Sequence, residues 1–192
     1  MINLVELKNI KKNYGSKEAV KDLSFQIKEN EVLGLLGPNG CGKTTTIGMM
    51  LGLLKPTSGE ILIDNKKIEE NRIEILKKIN FISPYIELPK KLTVKQNLIV
   101  YGKLYNIKNL NNSIDYLVEK LRLEELLNKI TGELSSGQKN RVSLAKALIN
   151  SPKVLLLDEP TASLDPEVGD YIRTFLENYK KERKISILLA SH

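Results

Sequence analysis

Val32-Leu33-Gly34-Leu35-Leu36 runs directly into Gly37-Pro38-Asn39-Gly40-Cys41-Gly42-Lys43-Thr44, and Thr45-Thr46-Ile47-Gly48-Met49-Met50-Leu51 follows. The first five residues are apolar throughout and read as a strand. The next eight fill every fixed position of G-x-x-x-x-G-K-[ST]. The last seven read as a helix. Strand, glycine-rich loop and helix is the context in which such a loop holds phosphate. Gly37, Gly40 and Gly42 let the backbone curl and turn its N–H groups inward. The helix start adds a partial positive charge. Lys43 can reach β- and γ-phosphates, and the Thr44 hydroxyl can ligate Mg²⁺.

Outward from that loop, further apolar runs bounded by turn signals read as strands. They cover Leu4 to Leu7, Ser24 to Ile27, Glu60 to Ile63, Ile79 to Ile82, Val154 to Leu157 and Ile185 to Ala190. The runs ending at Leu36, Leu157 and Ala190 are apolar nearly throughout, which predicts parallel strands buried on both faces. Val154 to Leu157 leads into Asp158-Glu159-Pro160. A carboxylate at the end of a strand beside a phosphate loop can hold the Mg²⁺ shell, a role that suits Asp158. Glu159 is then placed to orient or deprotonate water. Two acids capping a turn is the simpler reading of the same pair.

The middle third has helical periodicity. Ile114, Leu117, Val118 and Leu121 follow i, i+3, i+4, i+7, and Val142, Ala145, Leu148 and Ile149 repeat the stripe. Asn109 to Ser113 reads as a polar turn. These residues predict a helical insert from about 84 to 150 within one α/β domain. Leu134-Ser135-Ser136-Gly137-Gln138 opens its last helix. Ser135 is a good N-cap, and Ser and Gly ahead of a helix also make an anion site. One chain would then carry two phosphate-directed helix starts. Two chains arranged head-to-tail would use both.

The chain has 192 residues and a net charge of +7, mostly from lysine. That length supports one well-cored domain. The charge fits a solvated lysine surface, anionic lipid headgroups or nucleic acid, and composition does not separate these. Cys41 is the single cysteine, so no internal disulfide forms. It is either a small loop residue or a thiol activated by the local positive field. No apolar run approaches the ~18 residues needed to cross a bilayer, so any membrane role must come through a partner. The N-terminus lacks the pattern of a signal peptide.

The order Gly37–Thr44, Leu134–Gln138 and Val154–Glu159 resembles the ATPases of ABC transporters over nearly the whole chain. The resemblance implies a P-loop NTPase fold. Its ABC-type α/β core has a mostly parallel sheet, an antiparallel β portion at the N-terminus and an inserted α-helical lobe. It implies ATP and Mg²⁺ as ligands. Tyr14 resembles the aromatic residue that stacks on adenine. Phosphates would lie on Gly37 to Thr45. Ser135, Ser136, Gly137 and Gln138 would serve the ATP of a second ATPase chain, in a homo- or heterodimer. Ser163-Leu164-Asp165 resembles the loop that touches that partner. His192, the lone histidine, resembles the residue that contacts the γ-phosphate beside Glu159.

Two departures stand out. The family's glutamine at the junction with the helical lobe falls here on Pro84, which offers no side-chain ligand. The sequence ends at His192, where family members usually continue, so a C-terminally truncated product is expected. The implied activity is ATP hydrolysis that drives a separate transmembrane permease from the cytoplasmic face. Tyr101-Gly102-Lys103-Leu104-Tyr105 looks similar to subunits of ABC-2 type exporters. The rival reading is a soluble ABC ATPase acting on ribosomes or nucleic acid. Such proteins carry two cores or a long coiled-coil insert, so nucleic acid is the less favoured partner. A third reading is a regulatory module that binds nucleotide without hydrolysing it.

Overall fold

A computed structural model describes residues 3–83, 87–160 and 164–191. Two sheets form its frame. The first is antiparallel, in the order β2-β1-β4-β5, from β1 (Asn3–Tyr14), β2 (Lys17–Lys28), β4 (Ser58–Ile63) and β5 (Lys66–Lys67). The second is parallel, in the order β3-β8-β7-β6, from β3 (Val32–Leu36), β8 (Ser186–Ser191), β7 (Val154–Asp158) and β6 (Ile79–Ile82). Helices α1 (Lys43–Met50) and α2 (Ile68–Leu76) lie between strands in sequence. Helices α3 (Val94–Leu104), α4 (Leu110–Leu121) and α5 (Ser136–Leu148) separate β6 from β7. Helix α6 (Pro166–Arg183) joins β7 to β8.

The parallel sheet divides two apolar cores. Along β7, Val154 and Leu156 enter a core shared with α1, β1 and β4, while Leu155 and Leu157 enter a core built by α3 to α6. Alternate side chains of a strand point to opposite faces, so β7 must be apolar at every position. β8 behaves alike: Leu188 and Ala190 face the first core and Ile187 the second.

β3 departs from the expectation of burial on both faces. It is the edge of its sheet, and only Leu33 and Leu35 pack into a core. Val32 is 50% exposed and Leu36 72%. The helical layer covers β7 and β8 and stops short of β3, so a continuous apolar run here marks an edge.

The helical insert follows its pattern. Ile114, Leu117, Val118 and Leu121 are buried on α4, and Val142, Ala145, Leu148 and Ile149 on or just beyond α5. The polar turn expected over Asn109 to Ser113 is instead the start of α4, with Asn109 as its N-cap. Its first residue, Leu110, packs on Gly102 of α3, where even a methyl group would lie 2.0 Å from it.

Candidate functional site

β3 delivers its C-terminal end to Gly37, whose N–H donates to the Ser191 carbonyl at 3.3 Å. Gly40 and Gly42 take φ of +81° and +98°, a region that suits glycine. A Cβ on Gly42 would meet the Ala19 carbonyl oxygen at 2.4 Å, so the loop lies hard against β2. Gly42 caps α1 without a side-chain bond, and no acidic residue occupies the first turn. Its N–H groups and dipole are left for an anion. Lys43 is 7% exposed. Its ammonium donates to the carbonyls of Gly37 and Pro38, at 2.5 and 3.1 Å. Gly37, Pro38, Gly40, Cys41, Gly42 and Lys43 line one wall of a cavity of about 530 Å³, opposite residues 18–21 of β2. Cys41 is exposed.

Asp158 ends β7 and is 2% exposed. The Thr44 hydroxyl donates to its Oδ2 at 2.9 Å. The P-loop helix and the strand-end carboxylate therefore meet. Two hard oxygens side by side fit Mg²⁺, which takes few protein ligands and fills its shell with phosphate and water. No group of three or more His, Cys, Asp or Glu side chains suited to a metal occurs among the described residues. Glu159 has φ +48° and donates its N–H to the Ala190 carbonyl at 3.0 Å. Left-handed backbone at a non-glycine residue costs roughly 1–2 kcal/mol, and nine other described non-glycine residues share it. That strain is invisible in the sequence.

Ser135 is the N-cap of α5 and forms a reciprocal capping box with Gln138. The Gln138 N–H donates to Ser135 Oγ at 3.3 Å, and the Ser135 N–H donates to Gln138 Oε1 at 3.0 Å. The capping role is thus realised, and helix geometry still points the N–H groups of Ser136 and Gly137 outward. Leu134 is buried beneath the turn. Asn140, which sequence reasoning did not single out, donates from Nδ2 to the Pro160 carbonyl at 2.7 Å. It ties α5 to the segment just after Glu159. As one of several polar side chains on α5, it carried no distinguishing signal in the sequence.

Glu159 and Ser136 line a common cavity of about 210 Å³ with Ser83, Glu87 and Leu164. The cavity at the P-loop includes none of residues 134–138. The two phosphate-directed helix starts therefore open into different places. Tyr14 ends β1, is 49% exposed, and carries the Lys12 ammonium 5.0 Å from its ring centre. It does not line the P-loop cavity itself. Asn39 and Thr45 lie on the loop and on α1. Pro84, Ser163 and His192 lie outside the described residues.

The model of the family described as ABC transporter matches residues 20–162. The bacitracin transport ATP-binding protein of Bacillus licheniformis is 39% identical over 195 residues, covering 100% of this chain and 62% of that protein. The Nod factor export ATP-binding protein I of Rhizobium leguminosarum bv. viciae is 39% identical over 191 residues, covering 98% of this chain and 61% of its own length. The chain thus spans a little over three fifths of these relatives. Among solved structures, cbiO1 from Clostridium perfringens, part of the ABC transporter complex cbiONQ, superposes with TM-score 0.85 at 35% identity. It covers 99% of this chain and 78% of that one. A dimeric ATP-binding cassette in a post-hydrolysis state with ADP and Pi gives TM-score 0.87 at 30% identity, covering 98% of this chain and 88% of that one.

Proposed function

Because the chain belongs to the ABC transporter family, we propose that it is the ATP-binding and ATP-hydrolysing part of such a transporter, with residues 1–192 forming one ATPase domain and residues 84–150 its helical lobe. The observation that carries this reading is the hydrogen bond from Thr44 to Asp158. It brings the two ends of a Mg²⁺–phosphate site together from opposite halves of the sequence.

The P-loop N–H groups and Lys43 bind the phosphates. Lys43 exchanges its two loop carbonyls for β- and γ-phosphate oxygens. Thr44 and Asp158 hold Mg²⁺, which neutralises charge on the phosphates when bound. Tyr14 stacks on adenine. Glu159, held by its strained backbone at the end of β7, orients water for in-line attack and takes its proton. His192 assists at the γ-phosphate. The Ser135–Gln138 turn faces the nucleotide of a second ATPase chain, so closure of the pair traps two ATP molecules.

The work of closure is delivered to a separate transmembrane permease, a reading supported by the similarity to cbiO1, itself part of an ABC transporter complex. The similarity to a Nod factor export subunit supports export. The chain then works at the cytoplasmic face of the membrane, held there by its permease.

The test is ATP turnover of the chain against Glu159→Gln. The variant should bind ATP, pair more stably and hydrolyse at least roughly 10²-fold more slowly. Turnover equal to that of the parent removes Glu159 from the reaction.

A further inference from the structure

Asn97 lies on α3 and is 0% exposed. Its Nδ2 donates to Thr131 Oγ1 at 2.8 Å, to the Thr93 carbonyl at 3.1 Å and to the Pro89 carbonyl at 3.3 Å. Thr131 is 2% exposed, and its hydroxyl and N–H both donate to the Leu92 carbonyl at 2.9 Å. Around this pair two segments are zipped together. Gly132 N–H donates to the Lys90 carbonyl at 3.0 Å, Val94 N–H to Lys129 at 3.1 Å and Lys95 N–H to Leu127 at 2.9 Å. Thr93 and Ile130 add an antiparallel bridge. A Cβ on Gly132 would approach the Lys90 carbonyl oxygen to 3.0 Å, so the two backbones are in close contact.

One segment, residues 89–95, leads from the junction near position 84 into α3. The other, residues 127–133, runs into the Leu134–Gln138 turn. Asn97 Oδ1 is buried with no hydrogen-bond partner among the described residues. A buried acceptor without a donor is destabilising, so this carboxamide is a poor choice for stability alone. Sites that break a local rule of packing tend to serve function.

We propose that Asn97 and Thr131 are positioning residues. Their buried hydrogen bond fixes the Ser135–Gly137 turn against the junction segment, and so sets the height at which that turn meets the nucleotide of a second copy. This rests on the proposed pairing of two ATPase chains. Neither side chain touches nucleotide. Moving the 89–95 segment moves the turn with it, because residues 131 and 132 have no slack relative to residues 90 and 92.

The test uses the full chain in the Glu159→Gln background, reading ATP-driven dimer formation by size-exclusion chromatography. Binding of a fluorescent ATP analogue and thermal melting are read in parallel. Thr131→Val keeps shape and loses the hydroxyl, Thr131→Ser keeps the hydroxyl, and Asn97→Leu removes both the link and the orphan acceptor. Thr131→Val and Asn97→Leu should bind the analogue as the parent does, melt near or above it, and dimerise about tenfold more weakly, within the usual range of coupling between sites. Thr131→Ser should restore dimerisation. Parental dimerisation by folded Thr131→Val or Asn97→Leu overturns the positioning role. Loss of dimerisation only where melting is also lost reduces the pair to a structural tie and overturns it too. If Glu159→Gln itself stays monomeric in ATP, the pairing model fails, and this role with it.

Discussion

The Thr44 hydroxyl and the Asp158 carboxylate, 114 residues apart in the chain, lie 2.9 Å from each other. In the proposed site both would serve as ligand oxygens for Mg²⁺. Thr44→Val takes a donor from the buried Asp158, at a cost of about 1–3 kcal/mol read by melting, and should lower Mg²⁺-dependent ATP turnover of the folded variant by roughly 10²-fold. Turnover measured across a Mg²⁺ titration checks this. A parental Mg²⁺ dependence in the variant would remove Thr44 from the ion.

Two glycines of the site should respond in opposite ways to one methyl group. A Cβ on Gly137 has its nearest neighbour, Val168, at 3.7 Å. Gly137→Ala thus fits its own chain, and the exchange in a helix favours folding by up to about 1 kcal/mol. Its melting temperature should hold or rise while ATP-driven pairing is lost, because the added methyl meets only what the second chain brings. Gly42→Ala meets the Ala19 carbonyl at 2.4 Å with φ at +98°. It should cost at least about 1–2 kcal/mol of stability and abolish nucleotide binding. Thermal melts with and without ATP read both. Normal pairing by Gly137→Ala would count against a facing partner.

A charge cluster stabilises the turn between β4 and β5. Lys78 Nζ lies 2.6 Å from Asp64 Oδ2 and 3.1 Å from Glu74, and Lys153 lies 3.4 Å from Asp64. Hydrogen bonding from Lys78 holds the Asp64 carboxyl below its ordinary value of 3.8, against the opposing effect of burial. A depressed carboxylate pKa stabilises the fold above the unfolded value, and that contribution is lost as pH falls through the folded one. Asp64→Asn should cost about 0.5–1 kcal/mol near neutral pH after solvent screening. The difference from the parent should shrink below pH 3.8 and vanish at more acid pH. Urea melts at several pH values test this, and a gap that widens in acid would refute the assignment.

Leu155 points from β7 into the helical core and is 0% exposed. Leu155→Ala should destabilise by about 2–5 kcal/mol, read as a lower urea midpoint. The loss should appear equally by near- and far-ultraviolet circular dichroism, because β7 belongs to both cores.

Much of this architecture was legible in residue order. Val32 to Leu36 and Ile79 to Ile82 were bounded correctly because strong apolar runs meet glycine or polar punctuation on both sides. The α4 stripe was clear because burial on one helix face leaves a periodic trace. What escaped depends on pairings across long sequence distances. Asn97 and Thr131 are 34 residues apart, and Asn140 and Pro160 are 20 apart. A lone Asn on a helix carries no mark of the carbonyl it will find. The exposed face of β3 was misread for a related reason: strand order decides which apolar run becomes an edge, and residue pattern alone does not encode that order. The positive φ of Glu159 is likewise set by the fold around it.

β7 has both faces packed, whereas β3 has one. Amide hydrogens of buried central strands exchange only through large openings, while those of half-covered edges escape through small ones. The acidic half of the site should therefore stand on a slower-exchanging strand than the phosphate loop, with β8 between them. A nucleotide bridging the two would lend the protection of β7 to β3. Deuterium uptake over residues 32–44 should fall on binding, while that over residues 154–158 hardly changes.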